Sequence, residues 1–305
     1  MEYTSFQQIL DAVSKNPRKS RVAVAGAGND HVLESVFQAE ELGLVTPVLI
    51  GDEDRIRQLI REMGKDSEHY RIIASGAGEE CGQAAVDLIR KGEADYIMKG
   101  LLETREVLKP LVNKANGLHT GRTMSHMAFD EVPGLRKLVI LTDGGMIPHP
   151  TLEEKRDIII NAVSVLRSMG YERPKVAILC GVEKVNPKMP ETVDAEALVG
   201  MARDGVIRDC DITGPISYDL AMDKESARIK GFDPELSGEF DILVPPSLAA
   251  GNILNKCLTL TAGGKMAGLV VGAKVPVVVT SRGSSSEEKL LSLAVASLVT
   301  QQEVQ

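Results

Sequence analysis

The chain has few cysteines, no long apolar run and no excess of positive charge. Among its 305 residues are four cysteines, and 43 acidic residues outnumber 35 basic ones. The cysteines lie far apart without a C-x-x-C pair, which argues against zinc and redox spacings. The chain contains no run of about 18 apolar residues, so no transmembrane helix is predicted. The net charge of −8 disfavours a nucleic-acid-binding surface, although local basic groups can still bind a small polyanion.

The small number of cysteines and the lack of an apolar N-terminal segment indicate the cellular compartment. Buried free thiols in a reducing environment explain the scattered cysteines better than disulfides do. The N-terminal residues 1–5, MEYTS, are polar and lack the apolar core of a signal peptide. We therefore expect a cytoplasmic protein. The cysteines concerned are Cys81, Cys180, Cys210 and Cys257.

Short apolar strands alternate with amphipathic helical segments along the chain, which predicts parallel βαβ units. A chain of this length exceeds the usual size of one core, so we expect two domains of roughly 150 residues. The fold class is therefore α/β. The predicted strands are 22–25, 45–50, 70–74, 94–98, 138–141, 176–179, 209–213, 241–244 and 275–279.

The alternation breaks over residues 116–134, which are rich in Gly, His and Thr. We place a domain boundary near Gly134, giving an N-terminal α/β domain over 1–134 and a second one over 135–283. The C-terminal helix, 284–305, is expected to return to the first domain. No repeat, low-complexity tract or linker is visible.

The turn after the last predicted strand has the composition of an anion-binding site. In open parallel sheets, ligands bind at the carboxyl ends of the strands. Ser281-Arg282-Gly283 follows such a strand and leads directly into a helix pattern. The helix start offers backbone N–H groups and the positive end of a dipole, and Arg282 adds a fork of donors. This turn is predicted to bind phosphate.

Two carboxylates, Glu287 and Glu288, stand about one helical turn beyond Arg282. They complete two overlapping capping boxes, Ser284 with Glu287 and Ser285 with Glu288. We expect one glutamate to cap the helix and the other to face a ligand, and we favour Glu288 for the second role.

Three further candidates follow the strand 94–98. Lys99 is suited to pairing with a phosphate, although a solvated lysine fits the sequence equally well. Gly100 lets a ligand approach the backbone. Thr104 is included as a binding candidate, but we expect it chiefly to cap the next helix.

Two turns in the second half of the chain are also rich in small residues. Asp143 and Gly144 follow the strand 138–141, and Thr151 with Glu154 forms a capping box after them. Asp143 either faces a ligand or shapes the turn. Ser247, Gly251 and Asn252 follow the strand 241–244, where the alternative to ligand binding is a helix start capped by Asn252.

The sequence evidence for a dinucleotide-binding motif is weaker than that for the anion-binding turn. Gly26-Ala27-Gly28 follows the first strand, and Asp52 ends the next one, as a ribose-binding acid would. Position 31 is His where the third glycine would stand, so a plain tight turn is the better interpretation.

Several ordered motifs together resemble the phosphate acyltransferases, the family of phosphate acetyl- and butyryltransferases. The resemblance covers nearly the whole chain. It is densest in the stretches 142–151, 213–219, 237–245, 251–252 and 279–283. Residues 22–28, 31–34 and 272–276 resemble the butyryl branch, whereas 283–285 resembles the acetyl branch as much.

The resemblance implies two three-layer α/β domains with mainly parallel sheets, an isopropylmalate-dehydrogenase-like fold with an inter-domain active-site cleft, and a homodimer. It implies the reaction acyl-CoA + phosphate ⇌ acyl phosphate + CoA. Coenzyme A, acyl-CoA and phosphate are then substrates, and neither a permanently bound cofactor nor a metal is expected.

In this chemistry Arg282 places phosphate, the Ser281 hydroxyl donates to phosphate or to the oxyanion, and a carboxylate serves the thiol as acid and base. The carboxylate is assigned to Glu288. The family's acetyl branch has aspartate there, so Glu287 stays open as the second candidate. A butyryl or branched acyl group is favoured over acetyl. Two competing functions are a non-catalytic acyl-CoA-binding homologue and an NAD-dependent dehydrogenase of the same fold.

Overall fold

The computed structural model describes residues 2–232, 236–280 and 283–302. Its chain divides into two compact units. The first, here called the N-terminal unit, comprises Phe6–Arg122 and Ala267–Gln305, and the second, the central unit, comprises Met1–Ser5 and Thr123–Met266.

Strands and helices alternate through most of the chain. The strands are β1 (Ser20–Ala25), β2 (Val45–Gly51), β3 (Arg71–Ala74), β4 (Tyr96–Lys99), β5 (Ser125–Glu131), β6 (Val139–Leu141), β7 (Lys175–Leu179), β8 (Asp211–Ile216), β9 (Ile242–Val244), β10 (Lys265–Val271) and β11 (Val277–Val278). The helices are α1 (Phe6–Lys15), α2 (Asp30–Glu41), α3 (Glu53–Glu62), α4 (Glu79–Arg90), α5 (Thr104–Leu111), α6 (Leu152–Ser168), α7 (Pro190–Arg203), α8 (Tyr218–Met222), α9 (Lys224–Lys230), α10 (Leu248–Lys256) and α11 (Ser286–Gln302). A 3₁₀ turn (Ser67–His69) and a π-helical turn (Cys257–Thr261) complete them.

In the N-terminal unit the strands are ordered β3-β2-β1-β4-β11-β10. All neighbours are parallel except β10 and β11. Helix α11 contacts both α1 and α2, and α4 contacts α5. Since β1 is buried at nearly every residue, both faces of this sheet are covered by helices, as parallel sheets require.

In the central unit the order is β5-β6-β9-β7-β8. Strands β6, β9, β7 and β8 run parallel, and β5 pairs antiparallel with β6. Their side chains join those of α8 and α9 in a core that includes Leu141, Ile216 and Phe240. The carboxyl ends of the four parallel strands therefore meet at one edge of the sheet.

The predicted α/β class with mainly parallel strands is confirmed, and so is the capping box that opens α6. There Glu154 N–H donates to Thr151 Oγ1 at 3.2 Å, and Thr151 N–H donates to Glu154 Oε2 at 2.8 Å. Two strands were not predicted. Strand β5 lies within the segment interpreted as a break, and β10 precedes the last predicted strand.

The units change at Ser5/Phe6, at Arg122/Thr123 and at Met266/Ala267, whereas from the sequence we expected changes near 134 and 283. Strand pairing explains the difference. Strand β5 pairs with β6 and so belongs to the central unit, while β10 and β11 extend the sheet of β4. Helix α11 lies in the N-terminal unit, where the Tyr96 hydroxyl donates to Leu293 O at 3.2 Å.

Two helix starts differ from the prediction. Thr104 does not cap α5, because the N-cap residue is Glu103, whose N–H donates to Glu106 Oε2 at 2.8 Å. Asn252 does not cap α10, because Ser247 does so and accepts a hydrogen bond from Ala250 N–H.

The prediction of buried thiols was wrong for one cysteine. Cys81, Cys180 and Cys210 are buried, but Cys257, at the start of the π-helical turn, is exposed, and none of the four forms a disulfide. Over the part of the chain that is described, no helix combines the length and apolar character needed to cross a membrane.

Candidate active site

The carboxyl ends of β4 and β11 lie side by side in the N-terminal unit. Val277 pairs with Ile97 and Val278 with Met98 in parallel register. One residue further, this register sets Val279 beside Lys99. The chain leading to Ser281 and Arg282 therefore passes the end of β4, although Ser281 and Arg282 themselves lie outside the described residues.

Lys99 is buried at the end of β4 with 8% of its surface exposed. Its Nζ lies 3.1 Å from Leu102 O, so the ammonium group is held by the backbone of the β4–α5 connection. A lysine held in this way is a fixed cation and not a solvated side chain, which makes it suitable for binding an anion.

Gly100 is required by chain packing. A Cβ added to it would lie 2.2 Å from Gly26 O, and its N–H donates to Ala25 O at 2.8 Å. The absence of a side chain therefore lets the β4–α5 turn approach the end of β1. Thr104, four residues on, is exposed at the first position of α5.

The start of α11 separates the two candidate glutamates. Glu288 is partly buried, and its Oε1 accepts a hydrogen bond from the Ser284 hydroxyl at 2.6 Å. Glu287 is exposed. Ser285 Oγ caps the helix by accepting from Glu288 N–H at 3.1 Å, so half of one predicted capping box is present. The Ser284 hydroxyl thus orients the Glu288 carboxylate.

This capping reduces the number of backbone N–H groups that the start of α11 can offer to an anion. Ser285 Oγ already takes up one of the first N–H groups, and the first turn carries both Glu287 and Glu288. Carboxylates at a helix N-terminus are stabilised by the dipole and compete with any other anion there. Gly283, just before the helix, is exposed.

In the central unit, Asp143 organises the loop after β6. The residue is only 3% exposed. Its Oδ1 accepts from the N–H groups of Gly145 at 2.6 Å and Met146 at 2.8 Å, and its Oδ2 accepts from His126 N–H at 3.2 Å. Three backbone donors on one carboxylate favour a turn-shaping role for Asp143.

A second loop, which begins α10, contacts the Asp143 loop through glycines. A Cβ on Gly251 would lie 2.9 Å from Asp143 O and 3.0 Å from Gly144 Cα. Asn252 Nδ2 donates to Gly144 O at 3.2 Å. The structure therefore brings together Asp143, Gly144, Gly251 and Asn252, with Ser247 as the helix cap.

His126 borders this loop pair and was missed by sequence reasoning. It lies on β5, the strand that was not predicted. Continuing the pairing of Ala128 with Leu141 by two residues sets His126 opposite Asp143. Knowledge of that antiparallel register would have identified the residue.

The N-terminal unit also contains a cavity of about 880 Å³ at the ends of β1, β2 and β3. Its charged lining residues are Asp52, Glu53, Arg55 and Glu106. Three carboxylates against one guanidinium disfavour phosphate groups. Asp52 accepts from Arg55 N–H at 3.1 Å and so caps α3, which supports the plain-turn interpretation of this region.

No group of three or more His, Cys, Asp or Glu side chains is arranged to hold a metal ion among residues 2–232, 236–280 and 283–302. The polar groups found at the two strand-end regions are a fixed lysine, an oriented carboxylate and hydrogen-bonded loops.

Comparison with known proteins identifies the family. A family model described as phosphate acetyl/butaryl transferase matches residues 79–297. The chain is 41% identical over 295 residues to a phosphate butyryltransferase of Clostridium acetobutylicum, covering 97% of this chain and 98% of that protein. It is 40% identical over 278 residues to a phosphate acetyltransferase of Thermotoga maritima, covering 91% and 94%.

A solved structure agrees with these relatives. The crystal structure of a branched-chain phosphotransacylase from Enterococcus faecalis V583 superposes with a TM-score of 0.82 at 32% identity, covering 92% of this chain and 99% of that one. The family model spans well over half of the chain, and both relatives match nearly its full length. The chain therefore belongs to the phosphate acetyl/butaryl transferase family and is a phosphate acyltransferase.

Proposed function

We propose that the enzyme reversibly transfers a short-chain acyl group between coenzyme A and inorganic phosphate, and that it favours butyryl or branched-chain groups. Similarity to a phosphate butyryltransferase and to a branched-chain phosphotransacylase supports this preference. Phosphate acetyltransferase activity is the second candidate, supported by a relative of that name at 40% identity.

The chemistry proposed is direct attack. Phosphate dianion is already a competent nucleophile, so it needs placement and charge compensation more than deprotonation. Arg282, with Ser281 and Lys99, holds the phosphate. A phosphate oxygen bonds to the thioester carbon, the C–S bond breaks, and the sulfur takes a proton from the Glu288 carboxyl. In reverse, Glu288 accepts the proton of the CoA thiol.

The observation that carries this proposal is the hydrogen bond between Ser284 Oγ and Glu288 Oε1 at 2.6 Å. It fixes the orientation of a partly buried carboxylate one turn after Arg282, whereas Glu287 is exposed. Gly283 and Ser284 form the connection between the phosphate-binding residues and this carboxylate. Asp143, Gly144, Ser247, Gly251, Asn252, Gly100 and Thr104 are proposed to shape or contact the substrate-binding surfaces.

Two matched variants test the assignment of the acid and base. Glu288→Gln should lower turnover by about 10²-fold or more, because the amide cannot exchange a proton with sulfur. Glu287→Gln removes the same charge one residue earlier. It should keep turnover and lower the KM for phosphate, since one carboxylate fewer opposes the dianion. A larger loss of turnover at position 287 would transfer the role to Glu287.

The role of Arg282 is tested by Arg282→Gln, which should chiefly raise the KM for phosphate. Arg282→Lys is its partner variant, because it restores the charge without the guanidinium fork. Phosphate dependence that is the same in the unaltered enzyme and in Arg282→Gln contradicts the role.

The acyl group is decided by one assay, phosphate-dependent release of CoA from acetyl-, propionyl-, butyryl- and isobutyryl-CoA. A methylene changes binding by only about 1–3 kcal/mol, so a graded preference is expected. Highest kcat/KM with acetyl-CoA would support the acetyltransferase. Binding without turnover would indicate a non-catalytic homologue, and NAD reduction in a parallel assay a dehydrogenase.

We also propose that the enzyme acts in the cytoplasm as a homodimer with acyl-CoA, phosphate and acyl phosphate as its partners and no permanently bound cofactor. The four free thiols support a reducing compartment. Sedimentation equilibrium tests the dimer, and a monomer at micromolar concentration would contradict it.

A further inference from the structure

Lys289 is a buried cation on α11. Its exposed surface is only 9%, although the residue lies close to the start of the helix at Ser286. The side chain runs back towards that start, where Nζ donates to Ser284 O at 3.2 Å. Long helical side chains usually point towards the helix N-terminus in this way. The ammonium group therefore lies beside the connection that leads into α11.

The charge of this ammonium group is not compensated within the described chain. Among the described residues its one acceptor is Ser284 O, and none of their carboxylates forms an ion pair with it. An ammonium group has three N–H donors, so two of them have no acceptor there. A buried lysine is normally paired, as Lys155 is with Asp194 Oδ2 at 2.7 Å. A ligand anion is the counter-ion that the burial of Lys289 calls for.

Ser284 connects Lys289 with the carboxylate proposed as acid and base. Its carbonyl oxygen accepts from Lys289 Nζ, and its hydroxyl donates to Glu288 Oε1 at 2.6 Å. The ammonium group and the carboxylate thus contact the same residue, yet they form no ion pair with each other. In CoA the phosphates are separated from the thiol by the whole pantetheine arm. An anion beside the carboxylate that serves the thiol is therefore the reacting phosphate and not a phosphate of CoA.

We propose that Lys289 Nζ binds the reacting phosphate, which is inorganic phosphate in one direction and the phosphoryl group of the acyl phosphate in the other. The proposal rests on the phosphate acyltransfer proposed above. Ser284, Glu288 and Lys289 all belong to the N-terminal unit. Lys289 exchanges no proton with the substrates. Its role is to compensate the charge of the dianion, which the Glu288 carboxylate opposes.

Lys289→Met tests the proposal, because it removes the charge and keeps an unbranched apolar side chain. It should raise the KM for phosphate by about 10–10²-fold, since a hydrogen bond to a charged group is lost. Lys274→Met is the matched control, because Lys274 is exposed, precedes β11 and lies in the same unit. It should leave that KM within about twofold. An unchanged KM for phosphate in Lys289→Met would overturn the proposal.

The reverse reaction distinguishes the reacting phosphate from the phosphates of CoA. In Lys289→Met, the KM for butyryl phosphate should rise by about 10–10²-fold, as that for inorganic phosphate does. The KM for CoA should stay within about threefold of that of the unaltered enzyme. A rise in the KM for CoA alone would assign Lys289 to a phosphate of CoA and overturn the proposal.

Stability measurements separate phosphate binding from a structural role of Lys289. In phosphate-free buffer, Lys289→Met should unfold at a higher urea concentration than the unaltered enzyme, because an apolar side chain replaces a buried charge. Added phosphate should raise the midpoint of the unaltered enzyme more than that of the variant. Comparing the two cancels the general stabilisation by phosphate as a salt. A lower midpoint without phosphate, combined with an equal rise with phosphate, would show a structural role and overturn the proposal.

The binding measurement does not depend on turnover, so the two proposals fail in different ways. If the unaltered enzyme releases no CoA with phosphate, the proposed function itself fails. If the unaltered enzyme is active and phosphate stabilises it and Lys289→Met to the same extent, the assignment of Lys289 alone is overturned.

Discussion

Replacing Asp143 should separate a structural carboxylate from one that contacts substrate. Its two oxygens accept three backbone N–H groups at 2.6, 2.8 and 3.2 Å, and the residue is 3% exposed. Hydrogen bonds to charged groups contribute about 1.5–3 kcal/mol each, but neighbouring ones do not add in full. Since Gly145 is exposed, its N–H can bind water after the change. We therefore expect Asp143→Ala to lower the free energy of unfolding by about 3–5 kcal/mol.

Asp143→Asn should cost less, about 2–3 kcal/mol. Its amide oxygen can still accept from Gly145 and Met146, but its NH₂ group would face the His126 N–H. Urea denaturation followed by circular dichroism measures both variants. The control is Asp211→Asn, because the Asp211–Arg173 ion pair is largely exposed and should contribute less than about 1 kcal/mol.

The result that refutes this role is specific. If Asp143→Asn unfolds within about 1 kcal/mol of the unaltered protein while kcat falls by 10²-fold or more, the carboxylate acts on substrate and not on its loop. A stability loss with a kcat that falls only in proportion to the folded fraction supports the loop role.

Three other changes follow from the structure. Gly100→Ala should destabilise the protein by about 3 kcal/mol in urea, because its Cβ would meet Gly26 O at 2.2 Å, and an unchanged midpoint would contradict that contact. Thr151→Ala should cost about 1 kcal/mol and Thr151→Ser much less, since serine keeps the cap of α6. Burial raises the pKa of Asp130 to about 7, so between about pH 4 and 7 the folded chain binds a proton that the unfolded chain has lost. The free energy of unfolding should fall over that range by up to about 4 kcal/mol and then level off, and Asp130→Asn should flatten the slope in urea titrations at each pH.

The alternating pattern was enough to predict the α/β class, because parallel strands are buried on both faces and read as short apolar runs. Strand β5 was not predicted because its sequence, Ser125–Glu131, mixes polar and apolar residues and follows a segment rich in glycine. Its burial comes from pairing with β6. That pairing is a tertiary contact, which a local pattern does not contain, and His126 was missed with it.

Glycines and helix caps show a second limit of prediction from the sequence. Gly100, Gly144 and Gly251 were selected because a ligand can approach a residue without a side chain, but in the structure another backbone approaches each of them. Both explanations require the absence of Cβ, so composition cannot separate them. The cap of α5 was similarly misplaced by one residue, because Glu103 and Thr104 are both compatible with a helix start and only the hydrogen bonds decide.

The start of α11 shows that a pattern typical of anion binding in the sequence can have a different role in the structure. From the sequence, its N–H groups and dipole were expected to attract phosphate, yet Ser285 Oγ caps the Glu288 N–H and two carboxylates occupy the first turn. The helix dipole stabilises a nearby negative charge by about 0.3–1 kcal/mol. Two like unit charges 4 Å apart repel each other by about 1 kcal/mol in bulk water and by about 4 kcal/mol near a protein surface. The carboxylates therefore outweigh the dipole, and attraction for a phosphate dianion has to come from side-chain cations. Lys99, buried beside the end of β11, is proposed as one of them, and this requirement explains why an arginine is proposed as its partner.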